Sequence, residues 1–85
     1  MREVKVAPKA ANFLKALPED YKNAIKLRLS GLENELVPHG AIRLKGRYGC
    51  FRLRVGPFRI QYAFLEKEDV VLVYKISRRD EETYK

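Results

Sequence analysis

Two hydrophobic periods divide this chain, with the change near residue 40. At the start, "EVKVA" alternates apolar and polar residues and predicts a short first strand. Pro8 follows, at a position suited to the first turn of a helix. Ala11, Phe13, Leu14 and Leu17 then give a short helix with one apolar side. Pro18 interrupts and restarts the chain, placing Glu19 and Asp20 where negative charge favours a helix N-terminus. From Tyr21 onward, Ile25, Leu29, Leu32 and Leu36 recur at spacings of four, four, three and four, which predicts a helix of about five turns. The two helices form a hairpin that ends at "VPHG", residues 37–40.

Beyond Gly40 the period becomes two. Residues 42–45 read as a strand closed by Gly46, and residues 50–55 as another. The second places Phe51, Leu53 and Val55 on one face and Arg52 and Arg54 on the other. Gly56-Pro57 fits a two-residue hairpin, because glycine takes the positive φ of a type II′ turn and proline's fixed φ suits the next position. Residues 58–65 return, "EKED" turns the chain, and residues 70–76 form a nearly continuous apolar run suited to an inner strand. The predicted fold is α+β: an N-terminal strand, a helical hairpin, then a four-strand antiparallel meander, with the helices packed on one face of the sheet. No repeat, linker or low-complexity segment interrupts this order, so one domain spanning residues 1–85 is expected.

Composition narrows the function classes. With 46% hydrophobic and 34% charged residues the chain is globular rather than disordered. No apolar run approaches the roughly 20 residues of a membrane span, and "MREVKVAPKAANF" lacks a signal-peptide core, so a cytoplasmic location is expected. The single Cys50 cannot form an internal disulfide and reads as a packing residue. With His39 as the only histidine, the count leaves no Cys/His metal site, and no cofactor is expected.

Charge changes the picture most. Eighteen Lys+Arg against eleven Asp+Glu give a net charge of +7. Residues 41–62 hold Arg43, Lys45, Arg47, Arg52, Arg54 and Arg59 without one acid. Clustered cationic charge of this kind attracts a polyanion. The hairpin register predicted by Gly56-Pro57 sets Arg54 directly opposite Arg59, with Arg52 diagonal to it on the same face. Like charges directly opposite across a sheet destabilise it, and a ligand gives such an arrangement a reason to persist. Arginine also binds phosphate oxygens in pairs and stacks on bases, where lysine acts as a point charge. In the ending "SRRDEETYK", Arg78 and Arg79 are expected just past the last strand, and Tyr84 is an aromatic able to stack on a base.

On these residues the chain resembles the RelE/ParE superfamily of toxin–antitoxin toxins, and more closely its RelE branch of mRNA-cleaving toxins. The resemblance covers essentially the whole chain. It is most specific in "RLKGRYGCFRLRVGPFRIQYAF", similar to L-x-G…Y-R-x-R-x-G-x-Y-R-x-x-Y, and in the basic-basic-acidic…Tyr ending. It implies a ribosome-dependent, metal-independent endoribonuclease that cuts mRNA in the ribosomal A site and is held inactive by an antitoxin encoded beside it. The expected partners are therefore that antitoxin, the ribosome and mRNA, with no membrane. The resemblance assigns catalytic roles to Arg52, Arg54, Arg59, Arg78 and Tyr84; Arg43, Lys45, Arg47 and Arg79 are expected to bind RNA. Some members carry lysines where Arg52 and Arg54 stand. Arginine stays protonated in proteins and is a poor base, so the general base is open between Tyr84 and ribosomal RNA. His39 lies outside the motif. Two other readings stand beside this one: a ParE-type toxin that poisons DNA gyrase, and a non-catalytic nucleic-acid-binding module.

Overall fold

The structure, a computed structural model, describes residues 1–79. Its elements run β1 (Glu3–Val6), α1 (Pro8–Lys15), α2 (Glu19–Gly31), β2 (Ala41–Arg43), β3 (Cys50–Val55), β4 (Phe58–Leu65) and β5 (Val70–Arg78). The five strands form one sheet in the order β1-β5-β4-β3-β2. Strands β2 to β5 are the antiparallel meander that the period-two segments predict. β1 pairs in parallel with β5, Val4 beside Val71 and Val6 beside Val73. That makes β5 an inner strand, as its apolar run requires.

Local chemistry places the breaks. Pro8 opens α1 in its first turn, where the missing N–H leaves no bond unmade. Pro18 sits at the N-cap of α2, with Glu19 and Asp20 in the first turn. At the β3–β4 hairpin, Gly56 has φ of +55°, the left-handed value a type II′ turn needs at its first central residue. Val55 therefore pairs with Phe58.

Two elements are shorter than the pattern predicts. α2 ends at Gly31, and Leu32 caps it through turn-type hydrogen bonds. The apolar stripe continues past the helix because Leu32 and Leu36 fold back onto the same core from a non-helical segment. β2 spans three residues rather than four, since Leu44 already turns toward Cys50 through its backbone N–H.

One hydrophobic cluster lies between the helices and one sheet face. Ala10, Leu14, Ile25 and Leu29 from the helices meet Phe51, Leu53, Phe58, Ile60, Tyr62, Val71, Val73 and Ile76 from the strands. Phe51 and Tyr62, paired across β3 and β4, stack with ring centroids 5.3 Å apart. Phe58 receives the edges of Phe13 from α1 and Tyr21 from α2, at 6.1 and 5.1 Å. This ring joins both helices to the tip of the hairpin.

Tyr62 is fully buried, and its hydroxyl donates to the Leu36 carbonyl at 2.6 Å. Burial pushes its phenol from 10.0 up to about 12, against a smaller opposing effect of the Arg28 charge. Between those values the unfolded chain ionises at this residue while the native chain stays neutral. Stability held below pH 10 is therefore lost as pH rises through 12, by about 2 to 3 kcal/mol in all for this group. Chemical denaturation of the wild type and Tyr62→Phe across that range should show a steeper fall for the wild type, and parallel curves would contradict it.

Candidate functional site

The hairpin turn sets the geometry of the arginines. Val55 pairs with Phe58, so Arg54 faces Arg59 directly and Arg52 faces Gln61. With Phe51, Leu53, Phe58 and Ile60 all buried under the helices, alternation sends Arg52, Arg54 and Arg59 to the opposite face. Directly opposed Cβ atoms in a sheet are about 5 Å apart, so the two arginine side chains leave the backbone side by side on that face. Arg54 is exposed, whereas Arg52 and Arg59 are half-buried. Arg59 makes a further interaction of its own. Gln61 and the exposed Lys75 are paired across β4 and β5 on the same side.

Arg78 departs from expectation. It is the last residue of β5 rather than a residue past the strand, because its backbone still pairs with Phe58 and the next N–H, of Arg79, donates to the Pro57 carbonyl at 2.8 Å. Its face is also different. Gln61 pairs with Lys75 but Tyr62 pairs with Val73, so Tyr74 is an extra residue in β5. Such a bulge reverses the alternation beyond it. Ile76 returns inward, Ser77 joins the Arg59 side, and Arg78 points to the helix side. There its guanidinium lies over the Phe58 ring at 5.3 Å. Arg78 and the Arg54–Arg59 pair thus share one end of the sheet but lie on opposite faces of it.

The remaining candidates divide similarly. Arg43 pairs with Phe51 and places its guanidinium over that ring at 5.3 Å, on the helix side. Lys45 and Arg47 are exposed in the β2–β3 loop, and Arg79 is half-buried at the end of β5. Tyr84 lies outside the described residues. His39 is exposed, and its carbonyl accepts a hydrogen bond from the Arg28 guanidinium at 2.6 Å. Among the described residues no three His, Cys, Asp or Glu side chains gather as a metal site. No helix there is long and apolar enough to cross a membrane.

Pattern reading misses Tyr74. Its hydroxyl is buried on the arginine face beside Cys50 and Arg47, with no described group in hydrogen-bond geometry with it. Burial raises its pKa, as does the neighbouring Cys50, while Arg47 opposes the rise. Tyr74 follows the inward-facing Val73 and falls on that side by plain alternation, but a nearly continuous apolar run does not tell an outward position from a core one.

The fold and the site together define a small α+β protein whose sheet is covered by helices on one side and studded with arginine on the other. The family model described as the ParE toxin of the type II toxin–antitoxin system parDE matches residues 4–83. A curated relative from Methanocaldococcus jannaschii, named as a RelE1 toxin, is 33% identical over 80 residues, covering 91% of this chain and 89% of the relative. The toxin in the archaeal RelE–RelB complex from Pyrococcus horikoshii superposes with a TM-score of 0.81 at 26% identity, over 92% of this chain and 94% of that one. Isolated E. coli RelE superposes with a TM-score of 0.83 at 16% identity, over 99% and 92%, a likeness of fold. The chain belongs to the RelE/ParE superfamily of toxins from type II toxin–antitoxin systems, and it is of RelE type.

Proposed function

We propose that residues 1–85 form a single RelE-like toxin domain that cleaves mRNA in the ribosomal A site and so arrests translation in the cytoplasm. The observation that carries this reading is the direct opposition of Arg54 and Arg59, with Arg52 beside them, on the sheet face the helices leave uncovered. Packing does not call for three guanidinium groups there, whereas a phosphate in flight does. The ribose 2′-oxygen attacks the adjacent phosphorus and gives its proton to a base. The bond from phosphorus to the 5′-oxygen then breaks, the leaving oxygen takes up a proton, and a 2′,3′-cyclic phosphate remains. Because the substrate supplies its own nucleophile, this chemistry calls for no metal-bound hydroxide.

In this reading Arg52, Arg54 and Arg59 hold the phosphate and stabilise its added negative charge, an effect whose loss costs on the order of 10² to 10³ in rate per donor. Arg78 approaches from the end of the sheet rather than from the same face. Tyr84 stacks on a base and orients the nucleophile, as the resemblance implies. Arg43, Lys45, Arg47 and Arg79 provide phosphate contacts further along the strand.

The matching family model is described as a ParE toxin, and gyrase poisoning of the ParE kind is the second reading. Induction of the protein distinguishes the two. Primer extension on ribosome-bound messages should show new 5′ ends within codons while chromosomal DNA stays intact. Double-strand breaks with uncut messages would overturn the proposal in favour of the rival. Relatives from Pyrococcus horikoshii and Methanococcus jannaschii are known in complex with RelB. We extend that to this chain: a cognate antitoxin, encoded adjacently and acidic where it meets the arginine face, should reverse the arrest when co-expressed.

A further inference from the structure

Tyr48 is 96% exposed, the most exposed of the large hydrophobic side chains in the described residues. It does not hang from a loose loop. Between β2 and β3 the Leu44 N–H donates to the Cys50 carbonyl at 2.9 Å, the Cys50 N–H returns to Arg47 at 3.1 Å, and the Phe64 N–H reaches the Gly49 carbonyl at 2.8 Å. Gly46 and Gly49, at φ of +76° and +78°, bracket the tight path that results. The fold thus holds an aromatic ring out in water, where an unpartnered ring gains nothing from burial.

Charge around the ring is lopsided. On one side lies an open cleft of about 450 Å³ lined by Arg43, Gly46, Arg47, Tyr48 and Cys50, without a carboxylate. On the other is a depression in which Phe64 and Leu65 are joined by Glu66 and Glu68 and by Arg43 and Lys67, so its charges balance. A polyanion is drawn to the first side, which holds cations alone, in preference to the second. Along β3, Cys50 to Arg54 is four residues, or about 13 Å, so the loop stands a few nucleotides from the opposed arginines.

We propose that Tyr48 is a stacking platform for an unpaired base of the RNA, with Arg43 and Arg47 holding the phosphates beside it. It is a substrate-positioning residue placed at a distance from the bond that breaks. The inference rests on the reading of the protein as an RNA-cleaving toxin, and it adds a second point of grip. Aromatic faces take unpaired bases without regard to sequence, whereas phosphate contacts alone do not sense whether a base is present.

Binding of a short oligoadenylate and of its abasic counterpart, which keeps the same phosphates, tests this on the full chain. Tyr48→Ala should weaken oligoadenylate binding at least about fivefold, the lower end expected for one stacked base, and leave the abasic strand unaffected. Tyr48→Phe should bind both strands as the wild type does. The chain has no tryptophan, so Tyr48→Trp places a single reporter whose fluorescence should be quenched by oligoadenylate and not by the abasic strand. Equal binding of oligoadenylate by wild type and Tyr48→Ala, equal weakening of both strands, or an unquenched Tyr48→Trp would each overturn the inference. These readouts involve no cleavage, so a parent protein that fails to cut messages would defeat the nuclease reading while leaving base-dependent binding at Tyr48 intact.

Discussion

Arg59→Ala is expected to abolish toxicity, lowering message cleavage by about 10² to 10³, while the protein stays folded. Arg59 stands opposite Arg54 on the uncovered face, and its neighbours in β4, Phe58 and Ile60, carry the packing. In the proposed mechanism, removing its charge removes a group that balances a phosphate gaining negative charge from the 2′-oxygen. The fold should persist, because the side chain leaves the core cluster untouched and its loss relieves the like charge of Arg54 directly opposite. Growth after induction, cleavage of ribosome-bound message and a thermal melt together decide the matter. A variant that still arrests growth would remove Arg59 from the mechanism, and one that no longer melts cooperatively would show that the residue serves the fold.

Phe58→Ala should have the largest effect on stability, about 3 to 5 kcal/mol. The ring is 1% exposed and takes edge contacts from Phe13 and Tyr21 as well as the Arg78 guanidinium. Truncation therefore leaves a cavity where α1, α2 and the β3–β4 hairpin meet, and it releases Arg78 from its seat. For a domain whose whole stability is of the order of 5 to 15 kcal/mol, that is a severe loss. Urea denaturation should show the midpoint falling sharply. A loss under about 1 kcal/mol would mean that the helices are not held to the sheet through this ring.

These two residues also show what is legible in sequence. Gly56-Pro57 dictates a two-residue turn, the turn dictates that Val55 meets Phe58, and the opposition of Arg54 and Arg59 follows without further information. The inner position of β5 is legible too, from its apolar run. Its partner β1 is not: "EVKVA" says strand, but its parallel pairing with residues 70–73 is a non-local choice that alternation cannot express. Nor can periodicity distinguish a helix that continues from a chain that stops and folds back, so Leu32 and Leu36 extend the predicted stripe of α2 beyond its true end at Gly31.

Arg78, expected just past the last strand, instead ends β5, and its face is set by the bulge. Counting by twos from Val71 and Val73 sends residue 78 to the arginine side. The extra residue at Tyr74 shifts the count by one, and the guanidinium lands on Phe58 instead. Tyr74, the extra residue itself, sets its hydroxyl beside Cys50 and Arg47, at the foot of the loop that holds Tyr48. One inserted residue thus sets which cations share a surface, and the apolar pattern is nearly blind to it.

The most direct test replaces the ribose nucleophile. A message cut by the purified protein on programmed ribosomes is resynthesised with a single 2′-deoxynucleotide at the mapped position. If the arginine face serves a phosphate attacked by its own 2′-oxygen, cleavage there should vanish, and the all-ribose message should yield a 2′,3′-cyclic phosphate end. Undiminished cleavage of the deoxy-substituted message, or a wild-type protein that leaves the all-ribose message whole, would contradict it.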